Sequence, residues 1–357
     1  MIVSNSWMKG KRFSKLRDLL LNRTRLSQIT VFEYPPFDGA AIESSIIVLE
    51  KRAPAETVAV YVYRTPECVQ LLNQLSVAEC AANGRVDARF NAAAAEVIAA
   101  IERNSIPLDG LCLIHRGVHA YRTDGYGKSK FAAGRQTKRD KAERSYHARQ
   151  KLDETYWPEV KGKHLLRYGY RWDGGYVSYG DWLAEPRRPE LFMSPKLAVR
   201  KILGPRLVCT YIEEPLVLDQ SVYVAIARPH AAADLLFALG TLASAVGGWY
   251  LRTKHAVYDR LYPWFTKEQL AHFPLPGAGD AQARRRIAEL AGQMLRAKVD
   301  EREKLDAQID QAVFDLYGLS AEQQRVITDG SSEARAWPGI ADETPRPRRT
   351  PPPARSQ

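Results

Sequence analysis

Cysteine is scarce in this 357-residue chain: Cys68, Cys80, Cys112 and Cys209 are widely scattered, with no C-x-x-C pair and no histidines close enough to complete a tetrahedral site. That spacing argues against a structural zinc. With no secretory leader at the start, the four read as reduced thiols of a cytoplasmic protein. Long apolar runs are missing too. The stretch from Leu235 to Val246 falls well short of the roughly 20 residues that span a bilayer, so no membrane partner is expected. There is no G-x-x-x-x-G-K-[ST] loop. GYGKSK at 125–130 lacks its spacing, although its glycines would let Lys128 and Lys130 approach a polyanion backbone closely. His115, His119, His147 and His164 have no Ser or Cys nucleophile and orienting carboxylate at recognisable spacing, and read as scattered polar residues. Glu213 and Glu214, adjacent on a predicted strand, would point to opposite faces instead of clustering for a nuclease.

What the chain does have is positive charge in one place. Its formal net charge is +11. Between Arg116 and Arg206 stand 21 Lys and Arg against 10 Asp and Glu, an excess as large as that of the whole protein. A localised basic footprint points to nucleic acid or another polyanion. It is interleaved with Tyr121, Tyr126, Tyr146, Tyr156, Trp157, Tyr168, Tyr170, Trp172, Tyr176 and Tyr179. For these rings, the core of a β-rich domain is the reading favoured over contact with bases. The cations predicted to touch DNA are Lys128, Lys130, Arg135, Lys138, Arg139, Arg144, Lys161, Lys163, Arg167 and Arg171, most of them through phosphates.

Periodicity predicts an α+β chain. MIVSNSWM reads as a strand, FSKLRDLLLNR as a helix with Phe13, Leu16, Leu19 and Leu20 at helical spacing, and LSQITVFE, AIESSIIVLEKR and ETVAVYVYRT as three more strands. One helix covers only part of one sheet face, so residues 1–65 are read as the C-terminal edge of a larger Rossmann-like sheet. Residues 66–104 are alanine-rich and predict a helical linker. Short strands punctuated by Gly, Pro and Asp make 105–278 a β-rich domain, although 231–250 reads as helix. A helical segment is predicted over 279–329, followed by a disordered Pro-, Arg- and Ser-rich tail over 330–357.

The order of these segments resembles a known family. The block from MIVSNSWM to VLEKR is similar to the last part of the catalytic domain of the TaqI-like adenine-specific DNA methyltransferases. IPLDGLCLIHRGVHAYRTDG resembles the entry to their C-terminal specificity domain. KGKHLLRYGYRW, PKLAVRKILGPRLVCTY and KEQLAHFPLP resemble its successive landmarks. LDAQIDQAVFDLYGLSAEQQRVI is similar to the helical ending of the larger type IIG restriction-modification and phage-defence methylases. The resemblance implies double-stranded DNA as partner and S-adenosylmethionine as cofactor of the complete enzyme.

The sequence departs from the family in one respect that matters for chemistry. No N-P-P-Y occurs, and no glycine loop follows a strand where the cofactor would need it. The Asn amide oxygen and an adjacent carbonyl of that motif hold the target amino group toward the methyl carbon, which is catalysis by positioning. Tyr34-Pro35-Pro36-Phe37 imitates the motif, but a tyrosine lacks the amide carbonyl. Phe37 instead matches the loop aromatic that, in the family, walls the pocket of a flipped base. The expectation is a DNA-recognition part, truncated or split, with no catalytic residue and no cofactor site of its own. One alternative is a subunit of an active adenine methyltransferase, completed in trans by a separate chain that carries the missing motifs. The alternative outside DNA chemistry is an interaction protein that docks through its C-terminal helices.

Overall fold

The computed structural model describes residues 1–34, 36–37, 43–122, 136–229, 231, 234–255, 263–277 and 279–335. The first unit runs β1 (Ile2–Ser4), α1 (Ser14–Asn22), β2 (Arg25–Phe32), β3 (Ser44–Glu50), β4 (Thr57–Thr65), β5 (Cys68–Ser76) and α2 (Val77–Ala82). Its sheet has the order β1-β3-β2-β4-β5, with β1, β2 and β4 running one way and β3 and β5 the other. Alternation builds it: Val58, Val60 and Val62 of β4 and Ile29 and Val31 of β2 turn inward, onto Trp7, Leu20 and Leu21. Among the described residues β1 and β5 are the two edge strands, each paired on one side. The expected strands and helix form, with two differences.

The stretch assigned to a helical linker begins with strand β5, which pairs antiparallel with β4, shifts register at Leu72, and turns Leu72 and Leu75 to the core while Val69 and Leu71 stay exposed. Of the four apolar residues read at helical spacing only Leu20 is buried, beside Arg17 and Leu21, while Phe13, Leu16 and Leu19 face solvent. Arg17 decides this by donating to the Trp7 and Gly10 carbonyls at 2.9 and 2.7 Å.

The rest of the chain is α3 (Ala92–Glu102), β6 (Ser105–Pro107), β7 (Cys112–Arg116), α4 (Lys138–Glu143), β8 (His147–Ala148), β9 (Tyr156–Val160), β10 (Leu165–Leu166), β11 (Gly169–Tyr170), β12 (Tyr176–Ser178), α5 (Glu190–Met193), β13 (Lys196–Arg200), β14 (Cys209–Ile212), β15 (Val217–Leu218), β16 (Val222–Ala227), α6 (Leu235–Ala243), α7 (Ala245–Lys254), α8 (Lys267–Ala271), β17 (Pro274–Pro276), α9 (Ala281–Arg296), α10 (Val299–Tyr317) and α11 (Ala321–Arg335). The central sheet, β14-β13-β16-β7, is shared by two cores. Leu197, Val199, Tyr223 and Ala225 pack on the helices, and the intervening Ala198, Val222 and Val224 pack on the second sheet, β15-β9-β12-β8.

The C-terminal helices are therefore not a separate segment beginning at 279. Ile287, Leu290, Met294, Ile309, Val313 and Ile327 share one core with α3, α6 and α7. α11 also continues through Arg335, past the predicted start of the tail at 330, with Gly330 set against the Trp249 ring. Residues 336–357 lie outside the described residues. No single described helix is long and apolar enough to cross a membrane, and α6 and α7 meet at a 67° bend.

Two buried charge systems hold these layers together. Asp310 of α10 accepts from both terminal nitrogens of Arg206, at 2.7 and 2.5 Å, and from the Ala245 N–H at 2.8 Å, where α6 turns into α7. Lys196 is fully buried and donates to the carbonyls of Phe192, Ser194 and Glu214 at 2.9, 3.1 and 2.8 Å. Three acceptors match the three protons of an ammonium.

Burial lowers the Lys196 pKa from 10.5 to about 8. A folded-state value below the unfolded one means that the folded form holds this proton less tightly. The contribution of the group to stability therefore rises as pH climbs from about 8 to about 10.5. Urea unfolding of the wild type and of Lys196→Met across that window should show the difference moving toward the wild type, by up to about 3 kcal/mol. A difference independent of pH would contradict the lowered value.

Candidate nucleic-acid interface

The second sheet carries a groove formed by two adjoining cavities of about 390 and 320 Å³. Both are lined by Arg144, His147, Glu159 and Lys161. Alternation along β9 puts Glu159 on the same face as Trp157. The pairing of β12 with β9 and β8 brings Val177 and His147 to that face as well. A Cβ at position 117 would fall 2.1 Å from the Asp219 carbonyl oxygen. Gly117 thus allows the chain to lie against β15, where the Val118 N–H donates to Leu218 at 2.8 Å, and leads it to Tyr121 beside His147. α4 is closed at its start by a Thr137–Asp140 capping box and at its end by Arg144 in the left-handed region, φ 54°.

A chain of hydrogen bonds runs across the floor. The Tyr146 N–H donates to the Tyr121 hydroxyl at 2.9 Å, and that hydroxyl lies 2.7 Å from His147 Nδ1. A hydroxyl that already accepts a backbone proton gives its own to Nδ1, which leaves Nε2–H to donate to Glu159 Oε2 at 3.0 Å. Lys161 Nζ stands 3.1 Å from the same oxygen. Glu159 is 2 % exposed. Burial pushes its carboxyl up, but the hydrogen bond from His147 and the Lys161 ammonium outweigh that and hold it below the ordinary value. Burial pushes the Tyr121 hydroxyl up, so it stays a neutral donor.

The rim has the opposite character. Lys141, Arg144, Arg149 and Lys163 line the two cavities and are exposed. Arg149 meets Asp173 in a solvent-facing pair at 3.2 Å. In the loop between β11 and β12 beside them Trp172, 41 % exposed, donates to the Gly175 carbonyl and sets its ring edge-on to Tyr176. Cations on an exposed rim above a floor whose charges are paired form a surface suited to phosphates outside and hydrogen-bonding groups within.

The predicted contacts divide clearly. Arg144, Lys161 and Lys163 come together in the groove. Lys138 and Arg139 are exposed on α4 and do not line it, and Arg139 pairs with Glu143 at 2.8 Å. Arg171 is exposed in the loop between β11 and β12, also outside the lining. Arg167 is a correction. It is bound to Asp306 of α10 and to the Ala243 carbonyl, so it joins the β-rich part to the helices and has no face for a phosphate. Lys128, Lys130 and Arg135 lie outside the described residues, as does Tyr126.

Of the interleaved rings, Tyr146, Tyr156 and Tyr168 are core, and Trp157 stacks on Tyr179 at 4.7 Å. Sequence reasoning missed Tyr121, His147, Glu159, Lys141 and Arg149. The one legible trace was a carboxylate at alternating spacing from Trp157 in an otherwise apolar strand. Among the described residues no group of three or more metal-ligating side chains occurs.

Residues 157–275, from within β9 to within β17, match the family model of the TaqI-like C-terminal specificity domain. A putative type II restriction enzyme and methyltransferase of Methanocaldococcus jannaschii is 24% identical over 272 residues, covering 72% of this chain and 21% of the relative. Among solved structures, that of the type IIL restriction-modification enzyme MmeI in complex with DNA is similar at a TM-score of 0.55 and 10% identity, covering 93% of this chain and 49% of that one. This chain thus spans about a fifth of the curated relative and about half of the structural one. The likeness to the latter is one of fold.

Proposed function

We propose, on the match of residues 157–275 to the TaqI-like C-terminal specificity domain, that this chain recognises duplex DNA for a site-specific adenine methyltransferase of the restriction-modification type. The observation that carries the reading is the groove: exposed cations along its rim and a charge-paired, hydrogen-bonding floor, to which the matched segment contributes Glu159, Lys161 and Lys163. Phosphates would sit on the rim and base edges over the floor. Phe37, 45 % exposed in the connection between β2 and β3, supports the choice of reaction class, since an apolar ring at the strand ends could wall a flipped base. The test is titration of the wild-type chain with a duplex by fluorescence anisotropy. Saturable binding that salt weakens is expected, and the absence of binding at low salt would overturn the reading.

The methyl donor of such an enzyme would be S-adenosylmethionine, and the residues described do not fit it. The cavity at the ends of β1 and β2, lined by Asn5, Met8, Lys9, Phe32, Glu43 and Asp87 among others, holds about 70 Å³, too little for a nucleoside cofactor. Methyl transfer is therefore assigned to a part of the enzyme outside these residues, in the same polypeptide or in a separate chain. Two features favour such a companion. Among the described residues β1 pairs on one side only, and Leu16 and Leu19 of α1, with Phe13 just before it, present an apolar stripe with exposures of 38, 45 and 37 %. A strand added beside β1 and a helix laid on that stripe would extend the sheet.

A further inference from the structure

Among the cations of the groove Lys161 differs from the rest. Lys141, Arg144, Arg149 and Lys163 reach outward from the rim, whereas Lys161 lines both cavities at the floor with its side chain only 26 % exposed. Its ammonium is paired to the buried Glu159 carboxylate, and Asp219 lies close enough for the two charges to interact. A phosphate brought to Lys161 would meet those carboxylates, so its positive charge is largely cancelled as a phosphate site.

What survives the cancellation is direction. Glu159 takes one ammonium proton and leaves two. Glu159 is itself fixed by His147, whose two ring nitrogens are both occupied, by Tyr121 on one side and by the carboxylate on the other. His147 and Tyr121 are therefore positioning residues with nothing left to offer a ligand. Lys161 is the group they aim.

We propose that Lys161 is a specificity-determining residue that reads a guanine, donating to its O6 and N7 in the major groove while the rim cations hold phosphates. Guanine is the base whose major-groove edge offers two acceptors and no amino donor. Adenine sets an N6 amino group beside its N7, and cytosine presents a donor, so a side chain that can only donate selects against both. The inference rests on the groove being the DNA interface and goes beyond it, because phosphate positioning is the role the sequence suggests for this lysine.

The experiment is selection from a pool of duplexes with a randomised central segment by the full chain, followed by salt titrations. The wild type should enrich a motif containing a guanine. Lys161→Met should lose the preference at that one position by about tenfold or more, with the other positions and the salt slope unchanged. Glu159→Gln, which frees the ammonium, should blur the same position while raising affinity for unselected duplex. Melting temperatures near that of the wild type would establish that both variants are folded. A Lys161→Met protein that keeps the whole motif, or whose salt slope falls by about one as for a phosphate contact, overturns the inference alone. A wild-type chain that binds no duplex overturns the recognition reading and the inference with it.

Discussion

Replacing Arg144 with asparagine and Arg149 and Lys163 with alanine is expected to weaken duplex binding by roughly 500-fold at 0.1 M monovalent salt. Each phosphate contact contributes about the inverse 0.9 power of the salt concentration, so removing three makes the logarithmic slope shallower by about 2.7. The wild type, if its groove and flanks neutralise about 6 to 10 phosphates, should itself lose about 10³ to 10⁵ in affinity between 50 and 200 mM. Asparagine is chosen at 144 because φ is 54° there, and asparagine tolerates the left-handed region better than alanine does. The Arg149–Asp173 pair does not compete seriously with DNA, since both side chains are exposed and such a pair is worth little. Anisotropy titrations at four or so salt concentrations give the slope. Arg139→Ala, on α4 but off the groove, should leave it unchanged. A triple variant with the wild-type slope would move the phosphate path elsewhere.

Asp310→Ala should destabilise the folded chain by about 3 to 5 kcal/mol, the usual cost of removing one partner from a buried ion pair. The carboxylate is 8 % exposed and serves three donors. Without it the Arg206 guanidinium keeps only Asp306 at 3.8 Å, which Arg167 already engages, and the Ala245 N–H loses its acceptor. Against a typical stability of about 5 to 15 kcal/mol this is a large share, and the urea midpoint should fall accordingly. Asp310→Asn, which keeps an oxygen for Ala245, should cost less. Removing both partners, as Arg206→Met with Asp310→Leu, should recover much of the loss. If Asp310→Ala unfolds with the wild-type midpoint, the helices are not pinned at this point.

Element types were legible wherever one period ran unbroken, as in β4 with its three inward valines or α9 with Ile287, Leu290 and Met294. They were misread where composition and period disagreed. The neighbouring alanines drew 68–76 into a helix, and the register shift at Leu72 breaks the alternation that would have marked it as the strand that pairs with β4. The face of α1 was misread because a buried arginine, whose partners are backbone carbonyls far from any pattern, displaced leucines that hydropathy would have put inside. The groove was half legible. Charge density marked the right region, but Arg167 and Lys161 look alike in sequence. Only the Asp306 and Glu159 carboxylates, 139 residues away in one case and two in the other, separate a structural tie from a floor group. His147 carried no signal, since its partners lie 26 residues before and 12 after it.

The sheet shared by two cores also decides where the chain can change length. In β13 and β16 neighbouring residues serve opposite layers, so inserting or deleting one residue would exchange Leu197 and Val199 with Ala198, and Tyr223 with Val224, and spoil both cores at once. No such lock acts on the tip between β11 and β12, where Arg171 to Gly175 are exposed or half-exposed and Gly174 sits at φ 79°. Relatives that differ in target sequence can therefore be expected to differ in the length and composition of that tip, at the mouth of the groove, while the strands behind it keep their residue count.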